Sequence, residues 1–404
     1  MLERIQLEHF KCFEILKLPL APLTLLSGLN ASGKSTTIQA LALFHQTLTE
    51  NPASPGLILN GKNVSLGTAD ELVDKISGRD SFAIGIENDT ISALWHFGVD
   101  IVDELIAPLQ RLSWQNGTKH DQQVQAARTT YNLLPFHDIS TGNELTNLFD
   151  SLHETIRSLT YVSADRIGPR EIYPASSRMQ QTGVGARGEF APWFIDQNQD
   201  LEIPAAMCRP DTAPNLRRQT EAWLATFFPG SSIEIEAIPR TNQYAMRLRT
   251  SSATRYHRPT NVGYGLSHVL PVIAACLGAV GFAQQEQRLA PLVLVENPEL
   301  HLHPAGQSAM GVFLARAAAS GAQVIVETHS DHVLNGIRRA VKGIDDQSTL
   351  TPDQVAIHFF QPRDDDGQRP QVISPLIDAN GTIDSWPEGF FDQFDKDLSS
   401  LIDW

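Results

Sequence analysis

Cysteine is scarce, with Cys12, Cys208 and Cys276 the only three in 404 residues. Thiols so few and so scattered build neither a disulfide framework nor a zinc knuckle. Basic residues are in deficit as well, 31 Lys and Arg against 46 Asp and Glu, which leaves a net charge of -15. The molecule as a whole repels polyanions, so any grip on DNA must be a local, narrow and strongly salt-sensitive contact. No apolar run approaches the length of an uninterrupted membrane span, and the opening MLERIQLEHFKCFE lacks a signal-peptide core. The expectation is a cytoplasmic protein without a membrane partner. Internal repeats, low-complexity tracts and sustained heptads are also missing, which excludes a long coiled-coil arm.

What remains is an ordinary globular balance, 42% hydrophobic and 19% charged, which argues against a disordered or fibrous chain. At about 150 residues per domain the length allows two or three domain-sized units. The first stretch, residues 1–97, reads as short strands around one helix that starts near Lys34. Residues 98–260 read as an insertion: a polar helical pattern from Val99 to about Leu159, the short strand LTYVSA, an Arg- and Gly-rich loop, a helix over Pro214–Phe228, and the hairpin IEIEAI/YAMRLRT. From 261 to 404 helices alternate with all-apolar strands, PLVLVE and AQVIVETH, as in a parallel sheet buried on both faces. The tail adds strands in QVAIHFFQP and QVISPLID and a closing amphipathic helix.

The strongest motif is GLNASGKST, Gly28–Thr36, between a strand and a helix. It fits GxxxxGK[ST]: glycines let backbone N–H groups wrap phosphates, Lys34 supplies a point charge, and the Ser35 hydroxyl suits magnesium. Gly28, Asn30, Ser32, Gly33, Lys34, Ser35 and Thr36 are therefore the expected nucleotide-binding residues. A P-loop needs a partner strand ending in a carboxylate, and PLVLVENPE supplies four apolar residues leading into Glu296 as a second magnesium ligand. The following strand delivers His329 just past its end, placed for a γ-phosphate or a water. More than half the chain separates Lys34 from Glu296, unlike ring-forming motors and like ABC-type ATPases with a split site. Upstream of Glu296, NVGYGLSHVLP places Ser267 at a helix start, where N–H groups and a hydroxyl suit the nucleotide of a second subunit. His301 and His303 in ELHLHP, with His329 and His332, are not read as a zinc site, because the nucleotide claims one of the last pair. Asp165, Arg166, Arg170 and Arg187 are the remaining candidates for contacts near phosphates, and the pairs Arg217/Arg218, Arg247/Arg249 and Arg338/Arg339 read as solvated faces.

These motifs resemble the ABC/SMC-type ATPases of the RecF-like and OLD-like AAA group, in particular a stand-alone bacterial subset with ENPE in the acidic strand and a WPEGFFD-like tail. The resemblance is carried by GLNASGKST, LNGKNVSLGT, VGYGLSHVLP, LVLVENPELHLHP, ETHSDH and WPEGFFD, with YVSADRIGPR an island between the two ends. It implies an α/β fold: an ABC-type ATPase head with N-terminal antiparallel strands, a parallel P-loop core sheet and a mostly helical inserted region. It also implies ATP and Mg2+ as ligands, a head-to-tail homodimer with two ATP in the interface, and service in anti-phage defence or DNA repair beside a nuclease or other effector. No nuclease motif is visible, so cutting is expected of a partner.

Three departures sharpen the expectation. The signature of this class reads LSGG, whereas YGLSH keeps Ser267 without the glycines. The acidic strand of the class ends Asp-Glu, whereas this one ends Glu296-Asn297, and an amide cannot accept a proton. Glu299 is the available substitute base, which predicts slow hydrolysis with ATP as a clamp. An ATP-holding scaffold without turnover and, further off, a transporter nucleotide-binding subunit remain open readings.

Overall fold

The computed structural model describes residues 1–100, 104–117, 122–125, 130–135, 139–177, 183–251, 253–286, 290–344, 350–363 and 371–402. Residues 178–182 of the Arg- and Gly-rich loop lie outside that set. Three strands open the chain, β1 (Leu2–Phe10), β2 (Phe13–Pro19) and β3 (Leu23–Gly28), before helix α1 (Lys34–Glu50). Strands β4 (Gly56–Ile58), β5 (Ser81–Asn88), β6 (Ser92–Gly98), β7 (Ile106–Gln115), β8 (Gln122–Gln125), β9 (Thr130–Tyr131) and β10 (Leu134–Pro135) lead to α2 (Ile139–Arg157). Then come β11 (Thr160–Val162), β12 (Ile172–Pro174), α3 (Ala191–Gln197), α4 (Leu216–Phe227), β13 (Ser232–Ala237) and β14 (Gln243–Arg249). The remainder is α5 (Tyr264–Glu286), β15 (Leu292–Glu296), α6 (Pro304–Ala319), β16 (Gln323–Glu327), α7 (Asp331–Val341), β17 (Val355–Phe360), β18 (Val372–Ile373) and α8 (Gln393–Ile402).

Two compact units emerge: Met1–Ala21 with Ala31–Leu159, and Pro22–Asn30 with Thr160–Trp404. The first is built on an antiparallel sheet in the order β2-β1-β5-β6-β7-β4, with β8 beside β7. Alternation drives it: along β1, Ile5 and Leu7 are buried while Gln6 and Glu8 face out. The buried face meets α1 and α2 through aromatic rings, Phe44 edge-on to Trp95 at 5.0 Å and Trp95 edge-on to Phe149 at 5.7 Å. The Trp95 indole N–H donates to the Leu133 carbonyl at 3.0 Å, so even this core ring has a polar partner.

The helical pattern expected from Val99 to Leu159 is half wrong. Ile106–Gln115 is strand β7, pairing with β6 and β8, and among the described residues of this stretch the helix is Ile139–Arg157. The reason is period: Ala107, Leu109, Leu112 and Trp114 are buried in near alternation, interrupted where the register shifts between His96 and Phe97. A bulge mid-strand breaks the two-residue rhythm and makes it look helical.

Two histidines, His153 buried and His45 half-buried, are expected to make this unit acid-sensitive. Burial pushes His45 on α1 down to about 4, against a backbone bond to Arg157, and pushes His153 on α2 down to about 3, helped by the Arg157 charge. Both folded values lie below the unfolded one near 6.5, so the unfolded chain binds more protons at low pH. The stabilisation is complete above pH 6.5 and is lost as pH falls towards 4. Between pH 6.5 and 5 each histidine is expected to remove about 2 kcal/mol. Urea unfolding at pH 7.5 and 5 checks this: the midpoint should drop in wild type and drop less in His45→Gln/His153→Gln, and equal drops contradict it.

The second unit has a mixed sheet ordered β11-β15-β16-β3-β17-β18, parallel except for β18. The all-apolar strands sit in its middle because both faces are covered, and β15 and β16 are buried at every residue. A separate antiparallel sheet, β12-β14-β13, belongs to the same unit. Helix α5 is apolar on all sides, and by length and composition it is long enough to cross a membrane. However, 89% of that apolar window is buried against its own unit, as befits a core helix.

Candidate functional site

The Gly28–Thr36 loop begins where β3 ends, between β16 and β17. Gly28 has φ 134, and a Cβ there would overlap the backbone of Phe360, whose carbonyl accepts the Leu29 N–H at 3.0 Å. Only glycine fits so close a backbone crossing. Ala31 is also left-handed, with φ 60. Gly33, φ 102, caps α1, and a Cβ there would strike the Phe13 ring and the Cys12 sulfur. The cap brings no side-chain acceptor and the first turn no acidic residue. Ser32 and Lys34 are buried, whereas Leu29, Asn30 and Ala31 are exposed. This is a backbone cradle of the kind that phosphates occupy, and the residues present fit a nucleoside triphosphate.

In the second unit, β15 carries Glu296 to the sheet's edge of chemistry, paired in register with Glu327 on β16. Its carboxylate is buried and fully oriented: the Tyr161 hydroxyl donates to Oε1 at 3.1 Å and the Ala164 N–H to Oε2 at 3.0 Å. Each oxygen keeps a lone pair, so a divalent cation with its waters is still compatible. Burial raises the Glu296 carboxyl, opposed by the Ala164 N–H, the Tyr161 hydroxyl and Arg166. The same contact and burial push the Tyr161 phenol up.

The chain then turns sharply. Asn297 is left-handed, φ 45, its N–H donates to the Glu327 carbonyl at 2.8 Å, and its side-chain oxygen is buried without a hydrogen bond. Glu299 Oε1 accepts the backbone N–H of His329 at 2.9 Å. Burial raises Glu299 too, against that N–H, its own N–H, the Thr328 hydroxyl and Arg166. A carboxyl that burial makes a stronger proton acceptor suits proton transfer. His329 itself is exposed, just past β16.

Ser267 and His268 lie in the first turns of α5 and are both buried. Burial pushes the Tyr173 phenol up, eased by the Arg170 N–H that donates to its oxygen at 3.2 Å, while the Ser267 hydroxyl is buried without a hydrogen bond. His268 is held to about 4 by burial first, then by Arg166 and His301. Its ring stacks edge-on to His301 at 4.8 Å, and Tyr264 lies against both at 5.8 and 5.5 Å. The signature-like helix start and the ELHLHP turn thus share one aromatic cluster.

Arg166, expected near phosphates, is engaged within its own unit. Its guanidinium is buried on the carbonyls of Glu296 and Asn297. Arg187 pairs with Asp165 at 3.1 Å, and Arg217 and Arg218 both pair with Glu221, as solvated faces do. Tyr161, Ala164 and Glu327 were not singled out from sequence, because their partners lie on distant strands and no spacing rule announces them.

Residues 1–165 match a family described as "AAA ATPase domain". Residues 197–335 match "AAA domain, putative AbiEii toxin, Type IV TA system". Residues 350–401 match "Protein of unknown function (DUF3696)". A curated relative, the OLD nuclease of Thermus scotoductus, is 46% identical over 43 residues, which is 11% of this chain and 8% of that protein. The match therefore spans a small part of the relative's length. Among solved structures, an SMC head bound to the C-winged helix domain of ScpA aligns over 93% of this chain and 98% of its own, with 12% identity and a TM-score of 0.46. An SMC head with an extended coiled coil, bound to the C-terminal domain of ScpA derived from Pyrococcus furiosus, aligns over 99% of both chains with 12% identity and a TM-score of 0.46.

Proposed function

We propose that this chain, which matches AAA ATPase domains over residues 1–165 and 197–335 and an OLD nuclease over 43 residues, is a slowly hydrolysing, ATP-controlled dimeric switch of the ABC/SMC-like, OLD-like kind. In this reading the loop N–H groups, Lys34 and Ser35 hold the phosphates, and Asn30, Ser32 and Thr36 complete the cradle. Ser35 and Glu296 are the residues that would hold Mg2+. When bound, Mg2+ supplies charge neutralisation for the phosphate oxygens. Ser267 is the residue proposed to meet the nucleotide of a second copy, and because its hydroxyl is buried here, the start of α5 must open for ATP to clamp a homodimer. The 98–260 insertion then presents a surface to a partner effector or nuclease in anti-phage defence or DNA repair. The acidic surface favours a basic partner protein over passive DNA wrapping.

One observation carries the slow-turnover reading: the residue after Glu296 is an amide, Asn297, in a turn whose other carboxylate is Glu299. Glu299 accepts the water's proton, His329 lies beside it through its backbone N–H, and Glu296 stays oriented by Tyr161 and Ala164. Wild-type turnover is expected below about one per second, and Glu299→Gln should lower it at least about 100-fold while ATP still binds. Turnover of hundreds per second, or an unaffected Glu299→Gln, overturns this. The same Asn297 supports a second reading, a scaffold that holds ATP without turnover. ATP recovered intact after prolonged incubation with wild type would favour the scaffold.

A further inference from the structure

One segment, Tyr161–Arg166, braces the sharp turn after β15 through four hydrogen bonds. Its phenol and its Ala164 N–H take the two oxygens of the Glu296 side chain. Its guanidinium takes the backbone: Arg166 Nη1 donates to the Glu296 carbonyl at 3.1 Å and Nη2 to the Asn297 carbonyl at 2.5 Å. The segment is itself tied down, with the Ser163 N–H on the Ala186 carbonyl at 2.8 Å and the Ile167 N–H on the Arg187 carbonyl at 2.9 Å. Two successive carbonyls can converge on one planar fork only if the backbone between them is bent, and Asn297 provides the bend with φ 45. A left-handed non-glycine residue needs such over-determination, since the conformation alone costs about 1 kcal/mol or more.

Burying a guanidinium is itself costly. Arg166 is only 4% exposed, and its Nε is buried without an acceptor. An apolar side chain would leave the Glu296 and Asn297 carbonyls without these donors and the buried Glu296 and Glu299 carboxylates without a nearby cation, so the arginine is matched to this turn. What the arginine does that no apolar residue can is fix where the Glu296 carboxylate and, three residues on, the Glu299 carboxylate stand relative to each other.

We propose that Arg166 is a positioning residue: it locks the Glu296–Glu299 turn so that both carboxylates are held in place for the reaction at this site. The role rests on the ATPase reading for its consequence in turnover, but not for its consequence in the turn. The Arg166 fork is spent on the two carbonyls of the turn. The turn's own hydrogen bonds, Asn297 N–H to Glu327, Leu300 N–H to Asn297 and Leu302 N–H to Glu299, are what it protects.

Two measurements on the full chain separate these layers. In the nucleotide-free protein, amide hydrogen exchange at residues 297–302 should quicken at least tenfold in Arg166→Ala, while the strand amides of Val324–Val326 keep wild-type rates. Arg166→Lys, which keeps the charge and loses the fork, should fall between and serves if Arg166→Ala does not fold. In turnover, Arg166→Ala should lose kcat at least 30-fold with the ATP KM within threefold, and added guanidinium ion should restore part of the loss. Unchanged exchange at 297–302 in both variants overturns the proposal, whatever the protein does with ATP. Equal losses in kcat and ATP affinity also overturn it, because they would make Arg166 a nucleotide contact. If wild type binds no ATP, the ATPase reading fails alone and the exchange result still decides the role of Arg166.

Discussion

Lys34→Ala is expected to weaken ATP binding at least about 100-fold and to abolish hydrolysis, because one charge-assisted contact to phosphate is worth about 1.5–3 kcal/mol and the triphosphate stacks several. Lys34 opens α1, and it is buried where Asn30 and Ala31 before it are exposed. A compact ammonium fits that position. Arginine carries the same charge on a wider planar head, so Lys34→Arg is expected to rescue poorly. Calorimetric titration with ATP checks both variants. Lys34→Ala binding within threefold of wild type would remove the loop from the account.

The second large effect is structural. Gly28→Ala places a methyl group into the backbone of Phe360 and forces φ 134 on a residue with a Cβ. The obstacle is the neighbouring strand rather than a flexible side chain, so the sheet must open between β3 and β17. A cost of about 3 kcal/mol or more is expected, together with loss of ATP binding. Gly78→Ala is the internal control: Gly78 also has positive φ, 60, but a Cβ there meets nothing within 4 Å. It should cost about 1 kcal/mol, the backbone penalty alone. Urea unfolding of the two variants gives the comparison, and equal costs would mean that the close approach to Phe360 is unimportant.

Much of this arrangement was legible in the sequence because the relevant physics is local. A glycine loop between an apolar strand and a helix states its own conformation, and Gly28 and Gly33 take the positive φ values that such a loop needs. Five buried residues ending in Glu296 announce a central parallel strand, and β15 is one. The alternation of α5, β15, α6 and β16 followed in the expected order. Strand β7 was hidden by the register shift beside it, which disturbs the two-residue rhythm. Arg166 was visible as an arginine near the site but not in its role. Its two acceptors lie 130 and 131 residues away in sequence, and only the parallel pairing of β11 with β15 brings them to it. The same holds for Tyr161, 135 residues from Glu296. Contacts made through strand pairing leave no spacing signature, whereas loops that wrap a ligand with consecutive N–H groups do.

Asn297 shows how a departure from a family pattern acquires a physical meaning. In sequence it is a missing base. In the structure it is also the left-handed residue of the turn, a conformation that asparagine tolerates better than glutamate. The substitution therefore relieves the backbone at the point where it removes a proton acceptor, and Glu299, fixed by the His329 N–H, is left as the buried carboxylate that follows in the turn.

The switch itself is tested most directly by the mass of the particle in solution with and without nucleotide. Light scattering on the Glu299→Gln variant with saturating Mg-ATP should give twice the 44.5 kDa of one chain, and the same variant without nucleotide should give one. Adding Lys34→Ala should return it to a single chain at any ATP concentration. A mass that stays at one chain with ATP bound, or a dimer that forms equally without ATP and with Lys34→Ala, would contradict an ATP-controlled dimer.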